Sequence, residues 1–348
     1  MNNNLKLKDF NRLIEKHRQK HSKFKYPLLD DAFSNNDLFE GIKVIMSGQL
    51  TMAKKTQEFE KKFAKRLKVN YAVMVNSGSS ANLLSTFAAC NPMRKNKFKA
   101  GDEALIPSLC WPTSLWPLVQ AGLKPKFIDV DENTLTPNFE MLEEAIDENT
   151  SLILGVHPIV NCCDVEGYIK LASKKNIPII FDAVESVHET FNSKRIGSFN
   201  VGEVFSLHAT KPFGIGEGGL ILAPSSKEFS IRSAMNFGLQ THANTGNKSS
   251  PFWGINGKMS EFHAAIGLAV LETIDERIFL RQKMAKKWVD SLINIDLNLN
   301  IFTHEIENSP WQIFPVVLES EKIVEKVLKI ALKNKYELRR YYYPSLGN

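Results

Sequence analysis

From Tyr71 to Pro224 the chain alternates short apolar runs with amphipathic ones. This alternation constrains the fold more than any other feature. "YAVMVNSG", "EALIPS", "KPKFIDVD", "SLILGVH" and "IPIIFDA" read as strands, because they are short, apolar and bounded by turn residues. "SSANLLSTFAAC", "PTSLWPLVQAG", "PNFEMLEEAI" and "DVEGYIKLASKKN" read as the helices between them. "VFSLHAT" and "GGLILAP" close the series as two strands. Apolar strands that alternate with helices imply an α/β fold, with a mainly parallel sheet covered on both faces.

The flanks extend this frame. "SNNDLFEGIKVIMSG" predicts a helix with Ser34 as N-cap, Asp37 three residues on, and Gly48 as its stop. "TQEFEKKFAKRL" spaces Phe59, Phe63 and Leu67 by four, which gives one apolar face. Near residue 240, "GLQTHANTGNKSSPFWG" is rich in turn residues and reads as a long loop or boundary. A long helix follows in "KMSEFHAAIGLAVLETIDERIFLRQKMAKKWVDSL", and the remainder resembles a small α+β unit. With 348 residues and 43% apolar content, the chain can bury a large core. The predicted division is an N-terminal arm and large domain over 1–250 and a smaller C-terminal domain over 251–348.

Composition narrows the function classes. The opening "MNNNLKLKDFNRLIEKHRQKHSKFKYP" is charged and lacks the apolar stretch of a secretory signal. No apolar run approaches a membrane span, so no membrane partner is expected. The four cysteines, Cys90, Cys110, Cys162 and Cys163, form no C-x-x-C. Neither a zinc site nor a disulfide framework is expected, and a reducing cytoplasm fits. The net charge of +6 is spread along the chain. It reads first as a solvated surface, without a nucleic-acid partner, and gives weak support for an anionic small molecule.

The stretch "VFSLHATKPFGIGEGGLILAP" places Gly214, Gly216 and Gly219 in a G-x-G-x-x-G pattern. A dinucleotide fingerprint needs a helix opening on the glycines, whereas this pattern leads into a strand ended by proline. The glycines are expected instead to let backbone pass close to a neighbour. In "MVNSGSSANLL" a strand ends, glycine turns the chain, and a helix begins with serines. Backbone N–H groups there, with Ser79 and Ser80, can form an anion cup. From this loop alone, however, the ordinary reading is that the same serines cap the helix.

Three residues at predicted strand ends make sense together: Asp182 after "IPIIFDA", Lys211 before the glycines, and Trp111 in "SLCWPTS". Each alone has an ordinary reading as loop cap, solvated lysine or packing residue. Jointly they match what pyridoxal 5'-phosphate (PLP) requires. A lysine forms the Schiff base, a carboxylate holds the pyridine nitrogen protonated, an aromatic face covers the ring, and a cup takes the phosphate.

From about Leu50 onward the chain resembles the sugar-nucleotide aminotransferases of the DegT/StrS type, which have the PLP-dependent transferase fold type I of aspartate aminotransferase. The likeness rests on "EFEKKFA", "VNSGSSANLL", "PSLCWPTSLWPLVQAGLKPKFIDVD", "VHPIVNCCD", "IIFDAVES", "FSLHATKPFGIGEGG", "NGKMSEFHAAIGL" and "RRYYYPSL". It implies a large domain with a mostly parallel mixed sheet sandwiched by helices, plus a smaller C-terminal α+β domain. Position by position, it makes Lys211 the Schiff-base lysine, Asp182 the partner of the pyridine nitrogen, and Trp111 the stacking residue. Ser79, Ser80 and Ser206 match phosphate ligands, and Glu185 matches a residue near the ring hydroxyl. Asn256 resembles an asparagine that reaches the phosphate of the neighbouring subunit, which implies a homodimer with composite sites. Lys258, Val160 and His188 depart from the family's usual Arg, Gly and Gly. The chain also ends at Asn348, soon after "YYYPSL", where relatives commonly continue.

The function implied is transfer of an amino group, with glutamate as donor, to a keto group of a nucleotide-diphosphate-linked deoxysugar, in surface polysaccharide or related amino-sugar biosynthesis. Two alternatives stay open. Sugar 3-dehydratases of the same fold carry histidine in place of the lysine, within a His-His run, whereas this chain has Lys211 and Pro212. A catalytically silent homologue would need neither Asp182 nor Lys211. No metal is expected.

Overall fold

The computed structural model describes residues 6–17, 22–30, 32–90, 98–241, 248–293, 295 and 307–346. Three helices precede the sheet: α1 (Leu7–His17), α2 (Asn35–Ser47) and α3 (Lys54–Leu67). The alternating region supplies β1 (Val73–Val75), α4 (Gly78–Ala89), β2 (Glu103–Pro107), α5 (Pro112–Gln120), β3 (Lys124–Ile128), α6 (Phe139–Ala145), β4 (Thr150–Val156), α7 (Val165–Lys175) and β5 (Ile179–Asp182). A short hairpin, β6 (Thr190–Phe191) with β7 (Lys194–Arg195), leads to β8 (Gly202–Ser206) and β9 (Gly219–Leu222). Then come α8 (Ser225–Ala234), a ribbon of β10 (Gln240–Thr241) and β11 (Lys248–Ser249), α9 (Glu261–Leu292) and α10 (Glu321–Lys333).

The main sheet has seven strands in the order β1-β9-β8-β5-β4-β2-β3. Pairing is parallel between β3 and β2, β2 and β4, β4 and β5, and β5 and β8. Strand β9 runs antiparallel to both β8 and β1. It is therefore the one reversed strand, and the other six present their carboxyl ends on the same edge. Ligands of open α/β sheets bind at that edge.

Successive strand residues face opposite layers. Met74, Leu105, Ile153 and Phe181 join one apolar core with Phe59 and Phe63 of α3. Val73, Val75, Ala104, Ile106, Leu152, Leu154 and Ile180 join the other, with Leu84 and Leu118 of α4 and α5. Burial on both faces is why these strands are apolar throughout rather than alternating. The first half of α9 packs into the same core as α3, through Ala264, Ile266, Leu268, Val270, Ile274 and Ile278.

Local chemistry sets the helix ends. Ser34 and Asp37 form a reciprocal capping box, and Gly48 stops α2 in a left-handed conformation. The N-terminus of α3 lacks a side-chain cap of its own. Glu261 of α9 serves it instead, accepting from the N–H groups of Ala53 (2.6 Å), Lys55 (2.6 Å) and Thr56 (2.9 Å). A carboxylate there also opposes the positive end of the helix dipole.

The long predicted helix begins at Glu261, three residues later than its pattern suggested, because Ser260 caps it. Residues 242–247 of the predicted turn-rich loop lie outside the described residues, and β10 and β11 frame them. Helices α1 and α8 had no counterpart in the sequence reading. In the described C-terminal segment, Tyr26 and Tyr336 form a parallel bridge and their rings stack at 4.6 Å.

Candidate active site

The carboxyl edge gathers side chains from five strand ends. Asp182 closes β5 and is fully buried. Its Oδ2 accepts from Asn82 Nδ2 of α4 at 2.7 Å and from Ser114 Oγ of α5 at 2.6 Å, and its Oδ1 accepts from the Val184 N–H at 3.2 Å. Burial pushes this carboxyl above the ordinary range, while those hydrogen bonds and the charge of Lys211 pull it back. Two helices thus aim one carboxylate, and a cation beside it would favour its charged form.

Lys211 lies in the connection between β8 and β9, mostly buried, with Nζ 3.1 Å from Glu185 Oε1. Its backbone N–H donates to the His208 carbonyl at 2.9 Å. Glu185 follows β5 by three residues and is itself buried. Both carboxylate oxygens are occupied: Oε1 by Lys211 and Tyr341, Oε2 by the Ile159 N–H at 3.0 Å and Tyr342 at 3.1 Å.

The predicted anion cup lies at the start of α4. Ser77 is the N-cap, with its Oγ accepting from the Ser80 N–H at 3.0 Å and donating to Ser80 Oγ at 3.1 Å. Capping therefore falls to Ser77, which leaves Ser79 exposed and Ser80 half-buried at the helix start. Ser206, at the end of β8, lies against Gly78, where a Cβ would come within 2.8 Å of the Ser206 Cβ. Gly219 runs equally close to Ser77: a Cβ there would stand 2.3 Å from the Ser77 carbonyl oxygen. The last glycine of the G-x-G-x-x-G pattern thus serves the close backbone approach expected from the sequence.

Trp111 is the N-cap residue of α5 and is 50% exposed, with its ring 6.1 Å from that of Tyr341. A large ring left open at this edge is an available platform. Asn256 is exposed, and its backbone carbonyl receives Asn76 Nδ2 of the same chain at 3.3 Å, one residue before the cup.

The structure brings together Asp182, Glu185, Lys211, Ser80 and Ser206, with Trp111 and Asn256 at the rim. Sequence reasoning missed Asn82, Ser114, Ile159, Tyr341 and Tyr342. Asn82 carried a signal, as a buried amide one turn into α4. The others reach the site only through the fold.

The family model for the DegT/DnrJ/EryC1/StrS aminotransferase family matches residues 33–347. The chain belongs to this family. It is 30% identical to a GDP-4-keto-6-deoxy-D-mannose 3-dehydratase of Yersinia pseudotuberculosis, over 92% of this chain and 89% of that one. It is 28% identical to a GDP-perosamine synthase of Escherichia coli O157:H7, over 83% of this chain and 76% of that one. The solved E. coli GDP-4-keto-6-deoxy-D-mannose-3-dehydratase with bound hydrated PLP matches with a TM-score of 0.81 at 28% identity, over 93% of this chain and 87% of that one.

Like these family members, the protein is a PLP-dependent enzyme of the sugar-nucleotide-modifying kind. Its residues fit that cofactor. A buried carboxylate is aimed by two donors, a primary amine stands on a strand-end loop, and a helix N-terminus is crowded by Ser206 where only Gly78 leaves room. Among the described residues there is no cluster suited to a metal ion, and no helix is long and apolar enough to cross a membrane.

The three residues expected from the sequence to depart from the family pattern have local partners. His188 adopts φ +76°, a conformation that favours glycine. The cost is met by Arg66 and Arg195, which hold its Nδ1 at 3.1 and 2.8 Å, and by stacking on Phe213. Val160 fills a small apolar cluster with Ile159, Ala285 and Trp311. Lys258 rests its Nζ 4.0 Å over the Phe237 ring and 3.3 Å from Asn236 Oδ1.

Proposed function

We propose that the protein is an aminotransferase that moves an amino group from glutamate to a keto group of a nucleotide-diphosphate-linked deoxysugar. The observation that carries this reading is Lys211, a primary amine on the β8–β9 connection, ion-paired with Glu185 and within electrostatic reach of Asp182. The names of the relatives support a GDP-linked 4-keto-6-deoxyhexose as the first substrate to try.

When bound, PLP supplies an electron sink that stabilises a carbanion. The rest falls to this chain's residues. Asp182 offers a buried anionic acceptor to the pyridine nitrogen. The start of α4, with Ser79, Ser80 and Ser206, binds phosphate through N–H and hydroxyl donors. Trp111 would offer its exposed ring as a cover for one face of the cofactor ring. Lys211 holds and moves a proton at Nζ, and its primary amine would be the group able to release an amino product. Glu185 receives the lysine ammonium between those roles.

Dehydration makes a different demand. A base without a primary amine suffices there, because no displacement of an amino product is needed. Lys211 supplies the displacing amine, so a complete transamination cycle is open to this chain. The resemblance further supports a homodimer in which Asn256 reaches the neighbouring site's phosphate.

The test is the glutamate half-reaction. Purified, PLP-loaded protein mixed with glutamate should release one 2-oxoglutarate per site. Lys211→His should lose this turnover while still binding pyridoxamine 5'-phosphate. Wild-type protein that releases no 2-oxoglutarate would overturn the reading.

A further inference from the structure

We propose that Tyr341 and Tyr342 are positioning residues that keep Glu185 hydrogen-bonded when Lys211 leaves it for the cofactor. The inference rests on the reading of Lys211 given above. Glu185 is 5% exposed, and its two oxygens accept from four donors: Lys211, Tyr341, Tyr342 and the Ile159 N–H. An ionised carboxylate has about four acceptor sites, so this set saturates it.

The lysine ammonium is the only charged donor among the four. Joining the cofactor aldehyde would require Lys211 to leave Glu185 and act as the free amine through its nitrogen lone pair; across the whole step, two of the ammonium's three protons would leave with the carbonyl oxygen as water. A carbon–nitrogen double bond replaces the carbon–oxygen one, and one proton stays on nitrogen. The lysine is then held elsewhere, and Glu185 stays behind in a buried place. A buried charge that loses its partners costs far more than an exposed one. The two phenols and the Ile159 N–H retain three of the four bonds. Burial, and next the charge of Glu185, push both phenols well above their ordinary range, so they remain donors.

The tyrosines come from a segment more than 150 residues away in sequence, and that segment is tied to two other elements just before Tyr341. The Glu337 N–H donates to the Tyr26 carbonyl at 2.9 Å, and Arg340 pairs with Glu321 of α10 at 3.1 Å. Tyr341 also meets the Trp111 ring. The N-terminal segment and α10 therefore fix where two hydroxyls meet Glu185.

The experiment compares two forms of the cofactor on apo-protein. Pyridoxal 5'-phosphate requires Lys211 to leave Glu185, whereas pyridoxamine 5'-phosphate does not. Tyr341→Phe, Tyr342→Phe and the double variant are titrated with each. For the double variant, the dissociation constant for pyridoxal 5'-phosphate should rise at least about tenfold, the order expected when a buried charge loses two hydrogen bonds. That for pyridoxamine 5'-phosphate should stay within about twofold. Adding Glu185→Gln, which removes the stranded charge, should narrow the gap. The single variants each lose one oxygen atom and carry the test if the double variant does not fold. Equal weakening of both ligands would reveal a merely structural role and overturn the proposal, as would no change in either. Borohydride trapping on the same samples separates the two readings. Cofactor fixed to a lysine other than Lys211 removes the reading of Lys211 and the proposal with it.

Discussion

Replacing Gly219 with alanine adds one methyl group at the start of β9. Its Cβ would stand 2.3 Å from the Ser77 carbonyl oxygen, 2.5 Å from the Ser77 carbonyl carbon and 2.9 Å from the Gly78 nitrogen. All three are backbone atoms, so no side-chain rotation relieves the clash. Ordinary contact begins about 1 Å further out. Strand β9 cannot yield easily, because Gly219 pairs with Ser206 on one side and Val75 on the other. The displacement must fall on Ser77 and Gly78, the first turn of α4 and the proposed phosphate cup. Overpacking of this kind costs about 1–3 kcal/mol of stability. Moving the N–H donors off the phosphate should weaken PLP at least about tenfold, or ~1.4 kcal/mol. The assay is a PLP titration followed by absorbance, with a thermal melt on the same samples. Gly202→Ala is the control, since its Cβ meets nothing closer than 3.4 Å. Gly219→Ala with wild-type affinity and melting midpoint would refute the reasoning.

Asp182→Asn should retain the cofactor but lose about 100-fold or more in kcat, because a neutral amide cannot stabilise a protonated pyridine; full steady-state activity would reduce Asp182 to a structural cap. His188 is shifted down to about 3 from 6.5, by burial and then by Arg66 and Arg195. Its contribution is therefore present above about pH 6.5 and lost as pH falls toward 3, with a slope of about 1.4 kcal/mol per pH unit. His157, shifted to about 3 by burial, acts in the same direction, while Glu203, raised to about 7 by burial, opposes both between pH 4.5 and 7. His188→Asn, which tolerates a positive φ, should flatten the acid limb of a urea-midpoint curve by one proton's slope; an unchanged limb would show that His188 does not bind its proton on unfolding. For composite sites, inactive Lys211→Ala and Asn256→Ala proteins should regain part of the activity when mixed and refolded; a fully active monomer in dilute solution would exclude shared sites.

The sequence carried most of the frame. Six of the seven main strands were legible as apolar runs, because both of their faces are buried, whereas edge strand β3, Lys124–Ile128, carries two lysines and buries only Ile128. The α2 capping box was readable from Ser34 and Asp37 alone, since capping is local. Sequence reasoning missed helices α1 and α8. Helix α1 does space Leu7, Phe10, Leu13 and Ile14 at helical period, although it buries only Phe10. Hairpin β6–β7 has two residues per strand, too few to show a period. In the site, Asp182 does close a strand as expected, whereas β8 ends at Ser206 rather than Thr210, so Lys211 lies five residues beyond it in the β8–β9 connection. Tyr341 and Tyr342 were not legible, because a run of three tyrosines does not say which hydroxyl turns inward. Ser114 looked like an ordinary first-turn helix residue. Its bond to Asp182 spans 68 positions and depends on how α5 packs beside β5.

The most direct test of amino transfer is a mass measurement on the sugar. Wild-type protein, PLP and glutamate are incubated with a panel of nucleotide-linked keto-deoxysugars, starting with a GDP-linked 4-keto-6-deoxyhexose. An amino sugar formed together with an equal amount of 2-oxoglutarate is the predicted result. A product that has lost water and gained no nitrogen would contradict the account.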